Sequence, residues 1–282
     1  MLNSDAPVSP QTFHRQRMTI PLHQGLDTLA SSAESAGLEV ARWHPGGDTT
    51  GVPLVLMHDS LGSIALWRDF PERLCRKTGR EVIAYDRLGF GQSSAHPGQL
   101  PHSFVTDEAH QGFAAVHRAL GLEGFILVGH SVGGAMAAAI AARYRDCHAL
   151  ITMAAQAFVE PRTLAGIGEA RDAFARPGQM ERLEKYHGAK ARWVLDAWVD
   201  TWLDPDFRDW TLDDRLAQIT CPVLVLHGDQ DEYGSEAQPR RYAELPAGPC
   251  QMQILKECGH VPHREQPDRV VEIITSFVNE SR

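Results

Sequence analysis

The stretch that most constrains this chain covers residues 124–142, GFILVGHSVGGAMAAAIAA. Phe125, Ile126, Leu127 and Val128 make an apolar run with the length and bulk of a strand buried on both faces. The run stops at Gly129-His130-Ser131-Val132-Gly133-Gly134, and an alanine-rich, helix-forming segment follows at once. Strand, Gly-x-Ser-x-Gly and helix in immediate succession is the context in which a serine sits on a sharp turn with its hydroxyl held clear of the backbone. The glycines two residues to either side are needed because side chains there would collide where strand meets helix. The pentapeptide alone is common in loops, and a tight structural turn is the alternative. Its setting makes Ser131 the candidate nucleophile.

The same rhythm extends in both directions. Residues 13–22 and 38–43 read as an antiparallel pair at a sheet edge, joined by DTLASSAESAG, a loop or a short helix. Before them, the first dozen residues are polar, contain two prolines and are expected to fray. Residues 53–57 are a second buried-strand run, ending in His58-Asp59-Ser60-Leu61-Gly62-Ser63. A helix carrying Ala65, Leu66, Phe70, Leu74 and Cys75 on one face follows and closes near Gly79. Residues 81–85 make the next strand, leading into Asp86-Arg87-Leu88-Gly89-Phe90-Gly91-Gln92-Ser93. A helical stripe over 104–120 and a strand at 149–153 complete this half.

Alternating buried strands and helices mean a parallel sheet covered on both faces, and such sheets place their chemistry at the carboxyl ends of strands. The loops beginning at His58, Asp86 and Ser131 all lie there. From residue 156 to 214 the rhythm breaks into helical stretches rich in charge and tryptophan (Trp193, Trp198, Trp202, Trp210), and it resumes with the strand at 221–227. The expected organisation is an α/β core over 1–155 and 215–282 with a helical cap inserted at 156–214. A continued core with long helices is the alternative.

A chain of 282 residues, 43% hydrophobic, can bury such a core. Its net charge of -9 and lack of any basic run argue against a nucleic-acid surface. The amino terminus has no signal-type apolar region, and no segment nears the ~18 apolar residues of a membrane span, so a soluble, cytoplasmic protein is expected. Five cysteines without CxxC spacing fit reduced thiols better than a disulfide framework or a zinc site, and no metal is expected.

A serine hydroxyl is a weak nucleophile near neutral pH and needs a base within reach, itself oriented by a third group. On such a fold the chain order is serine, acid, histidine. Beyond the cap, the strand at 221–227 leads into Gly228-Asp229-Gln230-Asp231-Glu232, with three carboxylates. The strand at 252–255 leads into Glu257-Cys258-Gly259-His260.

Taken together, these residues resemble the large family of capped α/β-hydrolases, over about residues 51–277. Gly259-His260-Val261-Pro262-His263-Arg264-Glu265-Gln266-Pro267 matches the family's Gly-His-x-Pro-His-x-Glu-x-Pro segment, which implies His260 as the base. His263 is then expected to be structural, helping to cap the last helix. The family's acid falls three residues after the glycine closing its strand, which implies Asp231, with Asp229 the alternative. Asp229 and Glu232 otherwise read as solvated loop carboxylates. Asp86-Arg87-x-Gly-x-Gly-x-Ser resembles another family loop, and no helix or ribose-binding acid follows it to suggest a nucleotide site.

A tetrahedral intermediate needs backbone donors aimed at its oxyanion. One is the amide of Val132, at a helix start where amides are unpaired. The other is expected from the loop after His58, where family members usually read His-Gly and this chain reads His58-Asp59-Ser60-Leu61-Gly62. By position Ser60 donates, with Leu61 the off-by-one alternative. Asp59 in place of glycine leaves the angles of that turn open. His58 is expected to be a structural hydrogen-bonder. The run Asp59-Ser60-Leu61-Gly62 resembles the enol-lactonase branch.

The resemblance implies a cofactor-free serine hydrolase acting on a small ester or lactone, a small-molecule substrate with an apolar or aromatic acyl group. A carbon–carbon bond hydrolase of a ring-cleavage diketone uses the same triad, but such relatives more often carry Gly-Asn-Ser. Prolyl aminopeptidases carry Gly-Gly-Ser-Trp-Gly, and a dehalogenase would want an aspartate at position 131. A non-catalytic ligand-binding relative is the hypothesis of another class. Trp198 and Trp202 either pack a cap helix onto the core or line a pocket over Ser131. Residues 181–187 read as a solvated face.

Overall fold

Apolar runs of four to six residues, bounded by polar turns, become the central strands of one sheet. The computed structural model describes residues 13–22, 36–47 and 49–280. The first dozen residues and nearly all of the DTLASSAESAG connection lie outside the described residues. The strands are β1 (His14–Pro21), β2 (Gly37–His44), β3 (Leu54–Met57), β4 (Val82–Tyr85), β5 (Phe125–His130), β6 (Cys147–Met153), β7 (Val223–Gly228) and β8 (Cys250–Leu255). They form an eight-stranded sheet in the order β1-β2-β4-β3-β5-β6-β7-β8. β1 pairs antiparallel with β2, and β2 antiparallel with β4; every other pairing is parallel. The expected antiparallel edge pair is therefore present, and the architecture is the α/β-hydrolase fold with a helical insertion.

Two cores explain the uninterrupted apolar runs. Successive side chains of a strand point to opposite faces. Val55 and Met57 of β3, Phe125 and Leu127 of β5, and Val223 and Val225 of β7 enter the core beneath helices Gly112–Leu120 and Val132–Arg143. Leu54 and Leu56, Ile126 and Val128, and Leu224 and Leu226 enter the opposite core, beneath helices Phe70–Thr78 and Pro267–Glu280. Helix Val132–Arg143 is buried from Val132 to Ala141, which is why it is built from alanine and glycine: larger side chains would hold it off the sheet.

Two helical expectations are corrected. The segment after residue 63 is a 3-10 turn, Ile64–Trp67, followed by the α-helix Phe70–Thr78, with Arg68 at φ 55° between them and Pro71 in the first turn of the second. Ala65 is consequently exposed rather than part of the buried stripe. The stripe at 104–120 is also two helices, Phe104–Asp107 and Gly112–Leu120. Between them Glu108 turns inward to accept the Tyr85 hydroxyl at 2.6 Å, in space that a side chain on Gly112 would fill.

The insertion lies between β6 and β7 and contains helices Pro161–Phe174, Gln179–His187, Ala191–Leu203 and Asp213–Leu216. Its two ends are tied together by a bridge between Phe158 and Thr211 and by hydrogen bonds from Val159 N to Trp210 O (3.2 Å) and from Leu212 N to Ala157 O (2.7 Å). Among the described residues no helix is long and apolar enough to cross a membrane.

Candidate active site

Ser131 joins β5 to helix Val132–Arg143 at φ 56°, ψ −130°, a conformation that a non-glycine residue holds at a cost of about 1–3 kcal/mol. The flanking glycines make the turn possible. A Cβ on Gly129 would stand 2.4 Å from Gly133 O, and one on Gly133 would stand 2.2 Å from Met57 O. The strained turn presents the Ser131 hydroxyl to the imidazole of His260, with Oγ 3.0 Å from Nε2.

His260 sits after β8 on a loop fixed by Glu265, whose carboxylate accepts the amides on either side of the histidine, Gly259 N at 2.6 Å and Val261 N at 2.9 Å. Its Nδ1 lies 2.9 Å from both carboxylate oxygens of Asp231. Asp231 follows β7 in a turn that it closes itself, accepting Tyr233 N at 2.8 Å and Gly234 N at 3.0 Å on Oδ1. Asp229 points elsewhere, towards Cys258 N (3.4 Å) and Lys256 Nζ (3.5 Å). Serine, histidine and Asp231 thus form one hydrogen-bonded chain, and Asp229 lies outside it.

Burial alone would raise the Asp231 carboxyl. The hydrogen bond and charge of His260, the charge of His227 and the Tyr233 amide outweigh it and hold Asp231 below the ordinary aspartate value. Burial alone would lower His260, and the Asp231 hydrogen bond and charge reverse that, so His260 is raised above 6.5. A carboxylate that stays ionised beside an imidazole able to take a proton is the arrangement a serine nucleophile requires.

The loop after β3 distinguishes the amides of Ser60 and Leu61 by their partners. Leu61 N donates to Asp59 Oδ1 at 2.9 Å and Gly62 N to Asp59 O at 3.1 Å, whereas the amide of Ser60 has no acceptor among the described residues. Asp59 is not among the residues with positive φ, so this turn does not need glycine. His58 is buried, donates from Nδ1 to Asp59 O (2.8 Å) and accepts Arg87 N on Nε2 (3.2 Å). Burial and the nearby Arg87 push it well below 6.5, as expected of a neutral structural ring.

A cavity of about 260 Å³ opens onto Ser131 and His260. Leu66, Ile167, Trp198 and Trp202 supply apolar wall, and Gln156 and Arg264 supply polar groups. Trp198 and Trp202 both line the cavity, and Trp202 also packs edge-on against Phe207 and Trp210 within the insertion. Trp193 instead stacks on His96, away from the cavity.

Several neighbours of the site were not anticipated. Gln156, just past β6, accepts the Ser131 hydroxyl at 3.3 Å; its place at the carboxyl end of a strand was the one available signal. The backbone of Tyr233 supports Asp231 and its ring lies 4.7 Å from that of His260. In 181–187 the charged residues Glu181, Arg182, Glu184 and Lys185 are exposed, as a solvated face would be, but His187 departs from it. It is buried, accepts Gly91 N at 2.8 Å and lies 3.0 Å from Leu61 O, tying the insertion to the loop after β3. His263 does not cap the last helix. Its ring packs on Trp67 (4.7 Å), Phe70 (5.4 Å) and His130 (4.8 Å), and burial pushes it well below 6.5.

Residues 54–273 match the sequence profile of the Alpha/beta hydrolase family. A proline iminopeptidase of Lactobacillus delbrueckii subsp. lactis is 22% identical over 273 residues, covering 83% of this chain and 92% of that protein. The 1-acylglycerol-3-phosphate O-acyltransferase ABHD5 of Sus scrofa is 39% identical over 93 residues, which span 33% of this chain and only 26% of the relative. Among solved structures, a thermophilic esterase from Thermogutta terrifontis with malate bound superposes with a TM-score of 0.68 at 24% identity, covering 94% of this chain and 99% of the esterase. A proline iminopeptidase from Mycobacterium smegmatis superposes with a TM-score of 0.67 at 20% identity, covering 94% and 98%. At these identities the superpositions establish the fold.

Proposed function

The chain belongs to the alpha/beta hydrolase family, and on that premise we propose that it is a serine hydrolase cleaving a small carboxylic ester or lactone through an acyl-enzyme. The observation that carries the reading is the chain of short contacts from Ser131 Oγ through His260 to Asp231. His260 takes the Ser131 proton as the hydroxyl attacks the carbonyl, and Asp231 holds the ring in the tautomer that leaves Nε2 free and stabilises the imidazolium that forms. The developing oxyanion is held by the amides of Val132 and Ser60. His260 then returns the proton to the leaving alcohol, activates a water and releases the acid. Every proton is handled by a side chain of this chain, so the mechanism calls for no cofactor.

The insertion, residues 156–214, acts as a cap over this centre. A cavity near the lower end of the range for small-ligand sites supports a small molecule rather than a polymer as substrate. The wall of Trp198, Trp202 and Ile167 supports an apolar or aromatic acyl group.

Turnover of p-nitrophenyl acetate and butyrate, with labelling by a fluorophosphonate, tests the reading. The expected result is turnover and labelling by the native protein, with kcat/KM falling by ~10⁴ or more and labelling lost in Ser131→Ala. A native protein that neither turns over nor labels would refute it. A ring-cleavage diketone consumed faster than any ester would replace the ester by a carbon–carbon bond.

A further inference from the structure

We propose that Asp59 and His130 form a charged clamp of positioning residues that holds the Ser60 amide, the Ser131 turn and the His260 loop in one fixed arrangement. The inference rests on the hydrolase reading, since it assigns those three loops a joint task.

The clamp begins with His130, whose side chain is 2% exposed. Its Nδ1 lies 3.2 Å from Asp59 Oδ2, and its Nε2 lies 2.7 Å from the carbonyl oxygen of His260. A carboxylate and a peptide carbonyl only accept, and a neutral imidazole has a single N–H. A neutral ring would therefore set a lone pair against an acceptor on one side. With a proton on each nitrogen the ring donates to both, and it carries a positive charge beside the Asp59 carboxylate.

Other ionisable groups surround the pair. Burial would raise Asp59, but the His130 hydrogen bond and charge, with lesser help from His58 and Arg264, hold it far below the ordinary carboxylate range. The rings of His263 (4.8 Å) and His260 (5.2 Å) face His130 from the base loop, and Trp67 meets it edge-on. His263 is kept neutral by burial, then by the charges of His130 and Arg264. His58 is neutral on the far side of Asp59. Asp231 lies beyond the ring of His260.

Each end of the clamp is one covalent step from a reacting group or is that group's own backbone. Asp59 precedes Ser60, His130 precedes Ser131, and the bond from Nε2 reaches the carbonyl of His260 itself. Asp59 also decides which amide is free, since its second oxygen occupies Leu61 N and leaves Ser60 N unpaired. The Asp59 carbonyl is held by His58 Nδ1 and by Arg87 Nη2, each at 2.8 Å, so the carboxylate acts from a fixed backbone.

Ring ¹⁵N spectra of histidine-labelled protein, with His130→Gln to assign the signals, and ester kinetics on Asp59 variants test the clamp. With both acceptors engaged, both nitrogens of His130 are expected to carry a proton in the native protein and one of them in Asp59→Asn. Asp59→Ala is expected to lower kcat by ~10²-fold, the effect of misplacing one oxyanion donor, with KM little changed and fluorophosphonate labelling slowed in proportion. Asp59→Asn, which keeps an acceptor for Leu61, should recover about tenfold of that loss. A single-proton His130 ring in the native protein overturns the proposal whatever the kinetics. So does an Asp59→Ala variant with native kcat, which would leave the hydrolase reading intact. Failure of the native protein to cleave any ester sinks that reading instead, and the ring spectra still decide the charge on His130. If Asp59→Ala does not fold, Asp59→Asn and the spectra carry the decision.

Discussion

Gly133→Ala puts one of the tightest backbone contacts of the site to the test. The added methyl carbon would stand 2.2 Å from Met57 O and 2.5 Å from His58 O, both backbone atoms, where contacts below 3.0 Å essentially never occur. The Met57 carbonyl must therefore retreat by about 0.8 Å merely to reach that limit. Met57 and His58 lead directly into the loop that carries Ser60, while Gly133 is the second residue of the helix that begins with Val132. The wedge thus separates the two amides proposed to share the oxyanion. A displacement approaching 1 Å at a reacting centre costs on the order of 10²-fold, which is the expected fall in kcat/KM for p-nitrophenyl butyrate. Overpacking costs about 1–3 kcal/mol. At roughly 2–4 °C per kcal/mol for a protein of this size, the melting temperature should fall by about 2–12 °C. Gly168→Ala is the control: its methyl group meets nothing within 4 Å in helix Pro161–Phe174. Exchanging glycine for alanine in a helix stabilises by about 0.8–1 kcal/mol, so Tm should rise slightly with kcat/KM unchanged. A Gly133→Ala protein with native kcat/KM and native Tm would refute the reasoning, because the contact would then be relieved without moving either amide.

Two further outcomes follow from the acid and the base. Asp231→Asn should lower kcat by ~10⁴, by favouring the wrong tautomer of His260, while Asp229→Asn changes it only a few-fold; steady-state kinetics on one ester would show the reverse if the acid were misassigned. His260 must be neutral to accept the Ser131 proton, and its pKa is raised, so kcat/KM should climb with pH through a midpoint above 6.5. Burial opposes that rise, and Asp231 is its main source with Glu232 and Asp59 adding to it, so in Asp231→Asn the residual activity should titrate at a lower pH than in the native protein. A native midpoint below 6.5 would contradict the environment described for His260.

Much of this arrangement was legible because it follows from local rules that packing does not override. Leu54 to Met57 and Phe125 to Val128 are apolar at every position, which only a strand covered on both faces can accommodate, and the parallel sheet followed from that. Ser131, Asp231 and His260 could then be found as residues after strand ends. The choice of Asp231 over Asp229 needed the resemblance, because it depends on how a five-residue turn folds back so that Tyr233 and Gly234 offer their amides to one carboxylate. Gln156 and His187 were out of reach for a different reason. Each acts through a partner far away in the chain, Gln156 on Ser131 and His187 on Gly91, and no period or spacing encodes such a meeting. The break of the helical stripe at 108–111 is of the same kind, since it goes with the bond of Glu108 to Tyr85 on a neighbouring strand.

Asp59 is an acid where the resemblance expects glycine, and His130 directly precedes the serine. Neither has an explanation alone, and together they have one. A donor reserved for a transition state has to be unpaired in the resting protein and yet immobile, two demands that conflict for a single peptide group. Here the bonds fall on the next residue instead. Leu61 is held at its amide by the Asp59 carboxylate and met at its carbonyl by His187 from the insertion, so Ser60 is fixed from beside without an acceptor of its own. Asp59 is in turn held to the serine strand by His130. On the proposed clamp, the Asp59 carboxylate that glycine could not supply leaves one amide both free and still, and the insertion holds the same residue at its carbonyl. On this argument a change in the insertion that displaces His187 should reach the rate of catalysis as well as the choice of substrate.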